Sequence, residues 1–114
     1  MAECIFCKIV SKEIPAKVVY EDDLIMAFHD IEPQAPAHVV IIPKDHIKSI
    51  DHISDIHKDL LGHILLSIKN IAKELGISEN GYRIINNCGS LGGQTVDHVH
   101  FHLLGGRQMQ WPPG

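Results

Sequence analysis

The chain has 114 residues, 45% of them hydrophobic and 21% charged, with a formal net charge of −4. That length admits one domain with a real core and no second; the mild negative charge argues against the broad basic surface of a nucleic-acid binder, and no apolar run approaches the ~20 residues a membrane span needs. Three cysteines, an odd number, make no disulfide framework and suit a reducing compartment as thiols or metal ligands.

The opening stretch MAECIFCKIVSKEI shows no basic leader followed by an apolar run and a cleavage site, so the expected location is the cytoplasm. Ile5, Phe6, Ile9 and Val10 recur at three- and four-residue steps and predict a short amphipathic helix closing before Pro15, a lid on the core. KVVYEDDLIMAFHDI predicts two strands, residues 18–20 and 24–30, around an acidic turn. Pro33 and Pro36 break the chain, and HVVIIP (residues 38–43), apolar on both faces, predicts a buried central strand.

Behind a Ser54 cap, Ile56, Leu60, Ile64, Ile68, Ala72 and Leu75 mark one face of a long helix that Gly76 stops. YRIINNC (residues 82–88) predicts a strand, residues 89–93 a glycine-rich loop, and residues 98–104 the last strand. With no repeat, linker or low-complexity segment, mostly sequential hairpins against one long helix predict an α+β fold: a five-stranded antiparallel sheet with one long and one short helix, a single domain over residues 1–114. One face of such a sheet stays open and could dimerise.

His98, His100 and His102 alternate near the C-terminus, which in a strand sets all three on one face and Val99, Phe101 and Leu103 on the other. Neighbouring imidazoles cannot all be protonated cheaply, so at least one should be held neutral as nucleophile, base or metal ligand. Two chemistries compete: a metal held by His-x-His, and phosphoryl transfer in which a neutral imidazole attacks phosphorus. Just upstream, the glycines of CGSLGGQTVDH let backbone N–H groups approach an anion, and Gln94 and Thr95 add uncharged donors. That is a phosphate cradle or simply a turn. Cys4-x-x-Cys7 is a zinc half-site, a redox pair or chance, and a metal needs two further ligands.

HVHFHLL resembles the signature of the histidine-triad (HIT) superfamily, and LLGGRQMQWPPG resembles the C-terminus of its Hint branch. IFCKIVSKEIPAKVVYEDD, AFHDIEPQAPAHVVIIPKDHI and NCGSLGGQ are similar to that branch in order and spacing, so the resemblance covers nearly the whole chain. It implies a HIT-like fold whose sheet extends across a homodimer, and a purine nucleoside phosphoramidase. In that role His100 attacks the α-phosphorus of an adenosine or guanosine 5′-phosphoramidate, or of an acyl-adenylate. The resulting nucleotidyl-histidine is released by water as AMP or GMP.

The resemblance also assigns the surrounding residues. His102 steadies the phosphate and His38 belongs to the imidazole network; Gln94, Thr95 and the backbone of Gly93 are phosphate-side donors, and Asn87 lies near phosphate and sugar. Asp30 suits the ribose hydroxyls because a carboxylate can accept from both. Phe28 and Ile31, with Ile5, Phe6 and Ile9, would wall the base, a role hard to separate from core packing at Ile9. Asn86 reads as a turn or strand-end residue.

Related proteins bind a structural zinc through a cysteine pair and two histidines, which here are Cys4, Cys7, His46 and His98, with no catalytic metal required. Hint proteins with this tail often lack the cysteine pair, so the chain departs from part of its own branch. Residues 105–114 are implied to be a tail that reaches the dimer partner, where Trp111 lines the neighbouring pocket and shapes the choice of leaving group. Cys88 has no evident partner. Two other readings stay open: a nucleotide-binding scaffold with little turnover, and a hydrolase using the histidine row on zinc.

Overall fold

A computed structural model describes residues 4–114. Its sheet begins with VVYE (β1, Val18–Glu21) and IMAFH (β2, Ile25–His29), paired antiparallel around a turn that Asp22 organises. The Asp22 carboxylate accepts the backbone N–H groups of Leu24 and Ile25 at 2.8 and 3.0 Å, the Tyr20 hydroxyl at 2.7 Å and Nε2 of His63 at 2.6 Å. Burial works to raise this carboxyl, but the four donors outweigh it and hold it far below the usual carboxylate range.

Branched residues continue through β3 (Ala37–Pro43), which is buried on both faces as its unbroken apolar run predicts. Two further strands, β4 (Tyr82–Ile85) and β5 (Phe101–Gly105), complete a five-stranded sheet of order β1-β2-β3-β5-β4 in which every neighbouring pair is antiparallel. The α+β class and strand count agree with the sequence reading.

Period-two alternation divides the strands between two cores. Ile25, Ala27, Val39, Ile41, Phe101 and Leu103 face the long helix α2 (Lys58–Glu74) and pack on its Ile64, Ile68, Ile71 and Ala72. Met26, Phe28, Val40 and Ile42 face the other way, onto Phe6 and Ile9 of the short helix α1 (Ile5–Val10). Each such fully buried aliphatic side chain stabilises by about 1.5–3 kcal/mol, and the larger cluster fixes the sheet from behind. His38 and His102 stand on the α1 side, which α1 covers only in part.

Four boundaries differ from the sequence reading, each for a physical reason. The last strand, expected over residues 98–104, enters the ladder only at Phe101. Pro43 ends β3 and has no N–H to give, so the preceding residues turn aside and Val99 N–H bonds the Ile47 carbonyl at 2.6 Å instead. The strand expected over residues 82–88 stops at Ile85, because the side-chain amide of Asn86 takes over the bond to β5, donating to the His100 carbonyl at 2.9 Å.

The long helix starts at Lys58 after a 3₁₀ turn, Asp55–His57, and Ile56 in that turn is 85% exposed and outside the apolar face. Ser54 still marks the start, its N–H donating to Nδ1 of His57 at 3.0 Å. In the first hairpin, β1 runs on to Glu21, while Leu24 and Asp30 fall outside β2 because Asp22 and an Asx turn at Asp30 hold its ends. Among the described residues no helix is long and apolar enough to cross a membrane.

Candidate active site and metal centre

Each of the three alternating histidines presents a different nitrogen, because each has a different backbone or side-chain neighbour. His98, fully buried, donates Nε2–H to the Pro43 carbonyl at 2.8 Å. A carbonyl only accepts, so the proton is on Nε2 and the lone pair on Nδ1 is free. That lone pair points at the cysteines: Nδ1 lies 3.4 Å from Cys4 Sγ and 3.6 Å from Cys7 Sγ. On the other side of the pair, His46 Nδ1 is 3.3 Å from Cys7 Sγ.

All four ligand atoms lie within 4.8 Å of one another. Tetrahedral sulfur and nitrogen ligands around a zinc-sized ion sit roughly 3.5 Å apart, close to the three sulfur–nitrogen distances here, so the donor set suits such an ion. Without a cation, burial and the adjacent Cys4 push the Cys7 thiol up, and burial pushes His98 down. A divalent cation would reverse the first effect by favouring thiolate. The three cysteines are free thiols, so Cys4 and Cys7 form no disulfide.

His100, nearly as buried, donates Nδ1–H to the His98 carbonyl at 2.8 Å, which leaves its Nε2 as the bare nitrogen. Phe6 stands edge-on to it with ring centroids 5.1 Å apart and likewise to His98 at 5.8 Å, so α1 wedges between nucleophile candidate and metal centre. Phe28 packs on Phe6 at 5.7 Å.

His102 lies on the same sheet face as His38, and the two rings are joined by a 2.8 Å bond between His38 Nε2 and His102 Nδ1. The direction of that bond follows from the far side of His38, where Nδ1 accepts the backbone N–H of Gln34 at 3.0 Å. A neutral His38 therefore carries its proton on Nε2 and donates it, so His102 accepts at Nδ1 and offers Nε2–H outward. Burial pushes His38 down against the opposing pull of Asp30, whose Oδ2 is 3.4 Å from Nε2. Burial, reinforced by His100 and His38, pushes His102 down to about 4. Both rings are thus uncharged near neutral pH. His100 and His102 meet at 5.1 Å between ring centroids, so the ring with the bare nitrogen and the ring with the N–H donor are neighbours.

Around them the structure places the other residues singled out above unevenly. Asp30 sits beside His38, with Oδ1 accepting the Glu32 N–H at 2.8 Å in the Asx turn. Asp30, His38 and His102 also lie close enough to form a second potential metal cluster, but the Gln34 N–H on His38 Nδ1 holds a proton on the nitrogen a metal would need. Ile31 is 94% exposed and Ile5 is exposed, so both stand at a rim, whereas Phe6, Ile9 and Phe28 are buried.

Gly93 takes φ +84°, a left-handed conformation that favours glycine, and Thr95 is exposed. Gln94 is otherwise engaged: its amide hydrogens go to the carbonyls of Lys48 and Val96 at 2.8 and 2.9 Å, and its Oε1 accepts the Gly89 N–H at 2.9 Å. As folded its side chain braces the loop. Asn87 is half-buried, and among the described residues its side chain makes no hydrogen bond.

Two open clefts lie elsewhere. One of about 470 Å³ lies between β4 and residues 106–109; another of about 310 Å³ is lined by Ser49, His52, Cys88 and the glycine loop. The histidine face borders neither. Fixed tautomers, not void volume, single out the histidines as candidate reactive groups.

Three contributors were not singled out in the sequence: Gln34, whose role is a backbone N–H; Pro43, whose role is a carbonyl; and Asn86. Only Asn86 carried a signal, a side-chain amide at a strand end next to a glycine loop.

A family model described as the HIT domain matches residues 11–109. The chain belongs to the HIT-domain family. Within it the chain falls in the Hint-like branch. It is similar to a 14 kDa zinc-binding protein of Brassica juncea, 51% identical over 114 residues that span 98% of this chain and 100% of that protein. Adenylylsulfatase HINT1 of Arabidopsis thaliana is 51% identical over 112 residues, 96% of this chain and 76% of that protein. Among solved structures, a HIT family hydrolase from Legionella pneumophila Philadelphia 1 superposes with a TM-score of 0.97 at 56% identity, covering 98% of this chain and 100% of that one.

Proposed function

We propose that the protein is a purine nucleoside phosphoramidase working through His100. The observation that carries this is the pair of neighbouring rings with a bare Nε2 on His100 and an outward Nε2–H on His102, both fixed by hydrogen bonds behind them. His100 Nε2 attacks the α-phosphorus of an adenosine or guanosine 5′-phosphoramidate; the P–N bond breaks, and the amine leaves with a proton taken from solvent. His102 donates to a phosphate oxygen as negative charge gathers there. Water then cleaves the nucleotidyl-histidine, releasing AMP or GMP and restoring the ring. Acyl-adenylates react by the same route, and so would adenylyl sulfate, the substrate in the Arabidopsis relative's name.

Phe28 and Ile31 flank the base, Asp30 meets the ribose, and Asn87, Gly93 and Thr95 serve the phosphate. Zinc is the ion suited to Cys4, Cys7, His46 and His98, in agreement with the name of the Brassica relative; it is structural, since four protein donors leave no place for water. The functional unit is a homodimer. Ile84 on the edge strand β4, with Leu65 and Leu66 on the outer side of α2 and an 82% exposed Trp111, is apolar surface that a second copy would cover.

AMP release from adenosine 5′-phosphoramidate tests the reading. Wild type should turn over steadily and yield a His100 adduct on rapid quench, and His100→Gly should do neither. Equal, slow release by both proteins would defeat it.

A further inference from the structure

The hydrogen-bond chain that fixes His102 does not end at Gln34. Arg107, in the tail just after β5, donates Nε–H to the Gln34 carbonyl at 2.9 Å. The chain is brought there by a close packing: Gly106 takes φ +93°, and a side chain on it would start 2.9 Å from Cβ of Pro36. Arg107 thus grips the residue whose N–H bonds His38 Nδ1 at 3.0 Å, and His38 in turn bonds His102 at 2.8 Å.

We propose that Arg107 is a positioning residue for the reaction, holding Gln34 so that its N–H selects the Nε2–H tautomer of His38 and, through it, the outward N–H of His102. The inference rests on the phosphoramidase reading for its kinetic consequence, but its structural content does not. The alternative tautomer is a real competitor. With Nδ1 protonated, His38 would accept at Nε2, His102 would have to donate from Nδ1, and the His102 nitrogen facing substrate would carry a lone pair that repels a phosphate oxygen. Gln34 N–H excludes that arrangement by facing Nδ1 donor to acceptor. Asp30 Oδ2, 3.4 Å from His38 Nε2, favours the same proton position, so the loss of the grip weakens one of two determinants.

Imidazole tautomers are read directly from long-range 1H–15N correlation spectra of the full-length protein. Wild type should show His38 protonated on Nε2 alone. Arg107→Ala should show mixed tautomers at His38 and His102, and Gln34→Pro, which deletes the donor itself, should shift them further. Arg107→Lys, whose ammonium can reach the same carbonyl, should restore the wild-type pattern.

Arg83→Ala is the control, because Arg83 holds the tail through the Gln110 carbonyl at 3.0 Å without touching Gln34; it should leave both tautomers as they are. On a phosphoramidate, Arg107→Ala should lower kcat about tenfold with little change in KM, within the range that small misplacements cost. Unaltered tautomers in Arg107→Ala, or the same change in Arg83→Ala, would overturn the proposal. A wild type inactive on phosphoramidates would sink the function above, whereas a tautomer shift confined to the Arg107 and Gln34 variants would still support the brace.

Discussion

Acidification should destabilise this fold in good part through His102. Its ring is pushed from the ordinary 6.5 to about 4, first by burial and then by His100 and His38. A folded-state value below the unfolded one means that the unfolded chain binds more protons between those limits, so stability rises with pH there. The contribution is complete above about pH 6.5, is lost as pH falls towards 4, and levels off below. The ceiling for that shift is about 3.4 kcal/mol. Because the ring is only partly buried, solvent screening brings the expected value to about 1–2 kcal/mol.

Urea denaturation of wild type and His102→Gln at about pH 7.5 and about pH 4.5, with metal content measured in each sample, isolates the effect. His38 remains in both proteins but is hydrogen-bonded to position 102, so the difference reads the coupled pair of rings. Wild type should lose about 1–2 kcal/mol more than the variant over the interval. Equal losses would refute the view of His102 as a partly buried ring that folding keeps uncharged.

Three further outcomes follow from individual contacts. Asn86→Ala leaves the buried His100 backbone without its side-chain donor; unfolding free energy should fall by about 1–3 kcal/mol and phosphoramidate turnover more steeply, and normal values for both would remove Asn86 from the site. Gly92→Ala would drive a Cβ into the Cys88 carbonyl oxygen, so the loop must shift; AMP affinity by calorimetry should weaken about tenfold, or about 1.4 kcal/mol, and an unchanged affinity would show that this loop does not meet the phosphate. Cys4→Ser should abolish a zinc content of about one per chain and cost on the order of 2–4 kcal/mol of stability, whereas zinc retained at the wild-type level would exclude Cys4 as a ligand.

The sheet was readable from the sequence because its strands are short, branched and separated by strong punctuation, and Pro43, Gly76 and the glycine loop lie where chain direction changes. Its edges were less so. Periodicity makes residues 98–104 look like one strand, yet a strand needs ladder partners as well as alternation, and Pro43 withdraws the partner that residues 98–100 would have used. Ile56 fits the helical stripe and is nevertheless exposed, because the 3₁₀ turn ahead of α2 winds it off the buried face. In the site, side chains with distinctive chemistry could be singled out by spacing and resemblance, whereas Gln34 N–H and the Pro43 carbonyl could not, since every residue has a carbonyl and nearly every one an N–H. The bracing bonds of Gln94 are illegible for a related reason: a side-chain amide beside glycines suits an anion or a loop brace equally, and the carbonyls of Lys48 and Val96 that it meets carry no mark in the sequence.

Those backbone groups explain how one row of identical side chains divides into three kinds of group. An imidazole has two nitrogens, and fixing one determines what the other can do. The Pro43 carbonyl takes Nε2–H of His98 and turns a lone pair toward Cys4 and Cys7; the His98 carbonyl takes Nδ1–H of His100 and leaves Nε2 bare. His102 has no such carbonyl. It accepts from His38 at Nδ1 and is left with a proton to give, a polarity that originates at the Gln34 N–H. Pro43 is therefore more than a strand terminator. By ending β3 it frees residues 98–100 from the ladder, and its own carbonyl then aims His98 at the cysteines, so the candidate metal centre and the candidate reactive face are set by the same break in the sheet.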